Sequence, residues 1–185
     1  MSHRWLERLT IAVASVVVAV VAIILLSGYF TSHDSASVSN PTDVGFKYAD
    51  QGDELLAPSS RRPHYDSDPP TSGPHVPAQV TADQRRLSND QILTALSAGN
   101  VVILYGGGSP PRQLVQLAGQ LADPFSPALV RSGQAVILAR RPGTDGIIAL
   151  AWTRMLRQNP IYPTTLGQFV RSWLGRGAGA APGSG

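Results

Sequence analysis

The chain contains no cysteine. That excludes disulfides, thiolate nucleophiles and cysteine-ligated zinc, and it leaves the redox compartment undetermined. Lysine is almost absent too: Lys47 is the only one, and arginine carries the remaining basic charge. Charged residues make up 15% of the 185, below the quarter or so common in soluble domains. The formal net charge is +3; with Arg4, Arg8 and Glu7 set aside, 13 basic and 11 acidic side chains remain. The arginines fall in scattered pairs, Arg61/Arg62, Arg85/Arg86 and Arg140/Arg141, with no stripe interleaved with aromatics. Nucleic acid is therefore not an expected partner.

What the chain has in excess is one apolar run. Leu9 to Gly28, "LTIAVASVVVAVVAIILLSG", carries no charge. Its length is enough to cross ~30 Å of hydrocarbon as a helix. Trp5 precedes it and Tyr29-Phe30 follow it, where aromatic belts form, and Arg4 and Arg8 flank its N-terminal side. A cleaved signal peptide is the alternative, but its apolar core is usually shorter and followed by small residues, not by "GYF". The expectation is an uncleaved transmembrane helix over 9–28, with residues 1–8 cytoplasmic and the rest extracytoplasmic in a single-pass cell-membrane protein.

Residues 29–60 are polar, Ser-rich and aperiodic, and read as a flexible linker with a short ordered piece near Phe46 to Leu56. Residues 175–185, "GRGAGAAPGSG", read as a disordered tail. Between them, 61–174 form the expected domain. Ser88 with Gln91 makes a capping box, and Gly99 closes a helix over about 89–98. "NVVILYG", 100–106, reads as a buried strand. Pro110 and Pro111 open a second helix with Leu114, Leu117, Ala118 and Leu121 on one face. "AVILARR", 135–141, and "GIIALAWTRM", 146–155, read as two strands of a hairpin joined by "PGTDG". Leu166, Phe169, Val170, Trp173 and Leu174 mark a last helix. The fold class expected is α+β: a small mixed sheet covered by helices, with the first strand parallel to the next across its helix.

Three polar groupings invite chemistry. "YGGGSPPRQL" is a Gly-rich strand-to-helix loop, but it lacks the P-loop Lys and Ser/Thr, and its prolines remove two N–H donors; a plain turn is the better reading. Ser72 and His75 could form part of a triad with Asp66 or Asp68, yet three residues apart in a proline-rich loop is no recognised geometry. His64, Asp66, Asp68 and His75 offer metal-binding atom types in a spacing that matches no ligand signature. A surface loop with incidental charges is the alternative.

The stretch "PPTSGPH", Pro69 to His75, followed by "L-x-x-G-x-VVILY" over Leu96 to Tyr105, resembles the bacterial family known as domain of unknown function 3105. "ALAWTRML", 149–156, and the helix "LGQFVRSWLGRG", 166–177, extend the resemblance to about Tyr65–Gly177. It implies one N-terminal membrane anchor with an outer domain. It also implies H-x-L-E-H-G before the strand, where this chain has Thr94, Ser97 and Ala98 in place of the two histidines and the glutamate. Of the imidazoles implied near that point, only His75 is retained. The resemblance thus implies a degenerate member, with the Tyr65–His75 loop packed near Thr94 and Ala98.

The functional expectation is a non-enzymatic, membrane-anchored extracytoplasmic interaction or assembly module. It would need no cofactor, and its partner would be an unidentified membrane or envelope protein. The alternative is a metal-binding protein using His75 with His64 and nearby acids; a hydrolase ranks last, because no nucleophile–base–acid set is visible.

Overall fold

A computed structural model describes residues 44–179. Within them lies a five-stranded mixed sheet. Its strands are β1 (Phe46–Lys47), β2 (Val101–Tyr105), β3 (Val136–Arg140), β4 (Ile147–Ala151) and β5 (Arg154–Gln158), in the order β1-β5-β4-β2-β3. Four helices surround it: α1 (Asn89–Ala98), α2 (Arg112–Leu121), α3 (Pro127–Arg131) and α4 (Pro163–Trp173).

Every residue of β2 and β4 is buried, as in sheets covered on both faces. On one face Val102, Leu104, Ile137 and Leu150 pack with Leu93 and Leu96 of α1 and Val130 of α3. On the other, Val101, Ile103, Leu138 and Ala149 pack with Leu114 of α2 and with Leu166, Phe169 and Val170 of α4. The apolar runs in the sequence follow from this two-sided burial.

Local chemistry sets the helix ends. At α1 the Ser88 hydroxyl accepts from the Gln91 N–H and the Gln91 amide oxygen accepts from the Ser88 N–H, the expected capping box. Gly99 closes the helix at φ 106°, and a Cβ there would come within 2.9 Å of the Gly175 carbonyl carbon. Only glycine suits both demands. The short α3 is capped by the Ser126 hydroxyl with Pro127 in its first turn.

The parallel pair β2–β3 matches the expectation. The hairpin does not. β3 and β4 are not neighbours, because β2 lies between them, antiparallel to β4. The hairpin is β4–β5, with Ala151 opposite Arg154 and the turn at Trp152-Thr153. Thr153 takes φ 59°, and Trp152 is buried with its indole N–H on Asp50. The run "GIIALAWTRM" therefore folds back on itself where no glycine or proline announces it.

Membrane anchoring requires a correction. Among the described residues no helix is long and apolar enough to cross a membrane. The span expected at 9–28 lies outside the described residues. The transmembrane element of the fold, the single-pass cell-membrane topology with an extracytoplasmic domain, and the membrane or envelope partner built on it are therefore withdrawn. Of the segment read as linker, residues 44–60 are described, and β1 within it pairs with β5. Of the tail, Gly175 donates to the Gly99 carbonyl and Ala178 to that of Ser97; residues 180–185 lie outside the described part.

Asn100, fully buried between α1 and β2, ties three elements together. Its amide nitrogen donates to the carbonyls of Ala95 and Val130, and its amide oxygen accepts from the Ala135 N–H. Asn100→Ala removes the side-chain partner of one buried N–H and of two carbonyls, so a loss of about 2–3 kcal/mol is expected. Urea unfolding of the variant beside the wild type checks this; a loss below ~0.5 kcal/mol contradicts the role.

Candidate functional site

The Pro69–His75 loop is the first place to look. Pro69 to Gly73 are buried, and Thr71, Ser72 and His75 have no exposed surface. The Thr71 hydroxyl meets that of Ser67, and the polar contacts of Ser72 and His75 are to backbone. The Ser72 hydroxyl donates to the Ala49 carbonyl at 3.0 Å and accepts from the Gln51 N–H at 3.1 Å. The Thr71 carbonyl accepts from the Thr153 N–H at the β4–β5 turn. The backbone of His75 bonds Glu54 and Leu56, and Gly73 donates to the Gly52 carbonyl. Gly73, at φ 129°, leaves no room for a Cβ, which would meet the Tyr65 ring at 2.9 Å. The Tyr65 hydroxyl closes the turn on the Pro74 carbonyl. Burial, then the Asp90 charge, pushes that hydroxyl's pKa up.

The loop leaves along α1. Val76 donates to the Asp90 carboxylate and Ala78 to the Thr94 hydroxyl, both at 3.0 Å. Just past the loop, then, it is Ala78 that is bonded to Thr94. Ser97 spends its hydroxyl on the Thr94 carbonyl.

This geometry corrects the metal reading. His75 Nδ1 lies 3.0 Å from the Gly73 carbonyl. A carbonyl only accepts, so the proton is on Nδ1. Nε2 is buried with no hydrogen-bond partner. His64 is exposed, on the wall of a shallow depression of about 460 Å³ shared with Glu54, Arg61 and Arg62. Asp66 is exposed, and Asp68 pairs with Arg141. Among the described residues no three His, Asp or Glu side chains form a group that could hold a metal ion. The Ser72–His75 pair likewise fails: the Ser72 hydroxyl bonds Ala49 and Gln51, and His75 Nδ1 bonds the Gly73 carbonyl.

A different site does assemble, and sequence reasoning missed it. Segment 83–85 runs beside the outer edge of β3. The Asp83 carboxylate accepts from the Leu138 N–H, Gln84 donates to the Leu138 carbonyl, and the Arg85 carbonyl accepts from the Arg140 N–H. Arg85 and Ala139 form a parallel bridge. Arg86 is thereby delivered beside Arg140 and Arg141 at the end of β3. Together they wall a cavity of about 330 Å³ whose other walls include Ile92, Leu104 and the first turn of α1 at Ser88 and Asn89. No acidic side chain lines it.

Two of its arginines are anchored. Arg140 Nε donates to the Gly107 carbonyl at 3.1 Å, so the Gly-rich loop turns an acceptor towards a cation and behaves as a turn. Arg141 holds the Asp68 carboxylate, which reaches over from the proline-rich loop. Arg86 and Arg140 form no ion pair among the described residues. Two groups along segment 83–85 are shifted, Asp83 itself and Tyr105, whose hydroxyl donates to the Gln84 carbonyl. Burial pushes the Asp83 carboxyl up, opposed by the N–H groups of Leu138 and Gln84. Burial also raises the Tyr105 hydroxyl, with Asp83 adding to the rise and Arg140 opposing it.

Asp90 links the loop to α1. Burial pushes its carboxyl up, but the hydrogen bond from Arg62, the Val76 N–H and nearby positive charge outweigh that and hold it below its ordinary 3.8. A lowered carboxylate stabilises the fold fully above the unfolded value near pH 4, and this is lost as pH falls through the folded value. Asp90→Asn should cost about 1–2 kcal/mol at pH 7. The difference from wild type should shrink by pH 3. Urea unfolding at the two pH values measures both; an equal difference at pH 7 and pH 3 contradicts the assignment.

No curated protein and no solved structure matches the chain. A family model described as protein of unknown function (DUF3105) matches residues 58–184. That range takes in the proline-rich loop, α1, the strands β2 to β5 and the arginine cavity, and the chain belongs to this family.

Proposed function

We propose that the domain binds a small oxyanion, a phosphate-type or carboxylate group, in the cavity walled by Arg86, Arg140 and Arg141. The observation that carries this reading is three arginines lining one concavity, with no acidic residue among the described residues that line it. Like charges gathered this way repel one another unless an anion joins them, and guanidinium forks match oxyanion geometry. The apolar floor of Ile92 and Leu104 lowers the local dielectric and strengthens each contact. The N-terminal end of α1, at Ser88 and Asn89, adds partial positive charge on the same side. Arg141 already holds a carboxylate, that of Asp68, so an oxyanion is the chemistry this wall accepts.

The junction of the proline-rich loop with α1 is a weaker candidate. By the resemblance, Thr94, Ser97 and Ala98 replace ionisable residues there. In this chain Thr94 and Ser97 are occupied with backbone groups and Ala98 is apolar. The chain reads as a degenerate member at that point, with its charge concentrated at the end of β3 instead.

Titration with inorganic phosphate and pyrophosphate at low ionic strength, followed by calorimetry, tests the reading. Saturable binding that weakens with added salt is expected. Arg86→Ala and Arg140→Ala should each weaken it about tenfold. Arg131→Ala, outside the cavity, should leave it unchanged. No saturable binding, or equal losses in all three variants, contradicts the proposal.

A further inference from the structure

We infer that Asp68 is a built-in competitor for the arginine cavity, an internal carboxylate that occupies Arg141 until an external oxyanion displaces it. The inference rests on the reading of that cavity as an oxyanion site.

The Arg141–Asp68 pair joins parts of the chain far apart in sequence. Asp68 is the last residue before the buried prolines of the loop, and its side chain is 80% exposed. Its carboxylate has one ion-pair partner, Arg141, and contributes little to the core. The backbone around it is fixed separately. Arg157 Nη2 donates to the Asp68 carbonyl, and Pro69 and Pro70 are buried directly behind it. The carboxylate can therefore leave Arg141 by side-chain rotation alone, without disturbing the loop.

Arg141 is likewise held through its backbone, whose N–H donates to the Tyr105 carbonyl, so the residue remains in the cavity wall when Asp68 departs. An exposed pair of this kind is weak, worth up to ~1 kcal/mol. A ligand bonded to three guanidiniums can outcompete it. Until then the pair lowers the cavity's charge and raises the concentration of anion needed to fill it. Weakly bound monovalent anions would be excluded first, so the competitor sharpens selectivity for multiply charged ligands.

The test is pyrophosphate affinity, by calorimetry on the whole chain, of wild type, Asp68→Asn and Asp66→Asn. Asp66 is an exposed acid in the same loop with no ion pair among the described residues, so it controls for the simple loss of a negative charge. The inference expects Asp68→Asn to bind about fivefold more tightly, with Asp66→Asn close to wild type. Unchanged or weaker binding in Asp68→Asn, or the same gain in both variants, overturns the inference. If Arg86→Ala and Arg140→Ala still weaken binding in that case, the oxyanion reading stands without it. Absence of pyrophosphate binding in wild type and Asp68→Asn alike overturns both. Matching melting temperatures for the two loop variants would show that neither change acts through folding.

Discussion

The outer edge of β3 is the constraint on which the rest depends. Strands β2 and β4 gain partners on both sides, whereas β3 pairs with a strand only through β2. An uncovered edge would leave backbone groups open to pairing with another chain. Segment 83–85 covers it with a side-chain carboxylate, an N–H and a carbonyl in turn. Gln84 adopts φ 57° to do so, a left-handed conformation that costs about 1 kcal/mol in a non-glycine residue. Its N–H bond to Leu138 offsets that. Covering the edge also brings Arg86 beside Arg140 and Arg141, so the packing solution and the charged cavity have one origin.

The proline-rich loop plays a matching part around the β4–β5 turn and the start of α1. It gathers residues 49–56, the β4–β5 turn and the start of α1 around one rigid stretch of backbone. Prolines lower the entropy lost on ordering it. Its Ser72 and His75 read as chemistry in the sequence, but the Ser72 hydroxyl and His75 Nδ1 are bonded to backbone groups. Among the described residues, Asp68 is the loop side chain that ion-pairs with a charged group, and the group is an arginine of the cavity. Clamp and cavity thus meet at one ion pair.

What was legible in the sequence was local. Ser88, Gln91 and Gly99 bound α1 through contacts within a few residues, and the apolar face of α4 repeats at helical spacing. The unmarked turn at Trp152-Thr153 was not legible. Thr153 takes its positive φ without being glycine or asparagine, and burial of Trp152 rather than turn chemistry fixes it. The strand order was not legible either, because the insertion of β2 between β3 and β4 depends on packing across both faces. The cavity was hidden for a related reason. Its arginines were visible as two separate pairs, and only the parallel bridge from Arg85 to Ala139 brings them together. His75 shows the converse: its atom types suggested a ligand, and its Nδ1 bond to the Gly73 carbonyl is invisible in a list of residues.

The most direct test of the central claim is to follow the arginine side-chain N–H resonances by NMR while pyrophosphate is added. The account predicts saturable shifts at Arg86, Arg140 and Arg141, with Arg62 and Arg131 unmoved. Shifts spread evenly over all arginines, or centred on Arg61 and Arg62 beside the proline-rich loop, would contradict it.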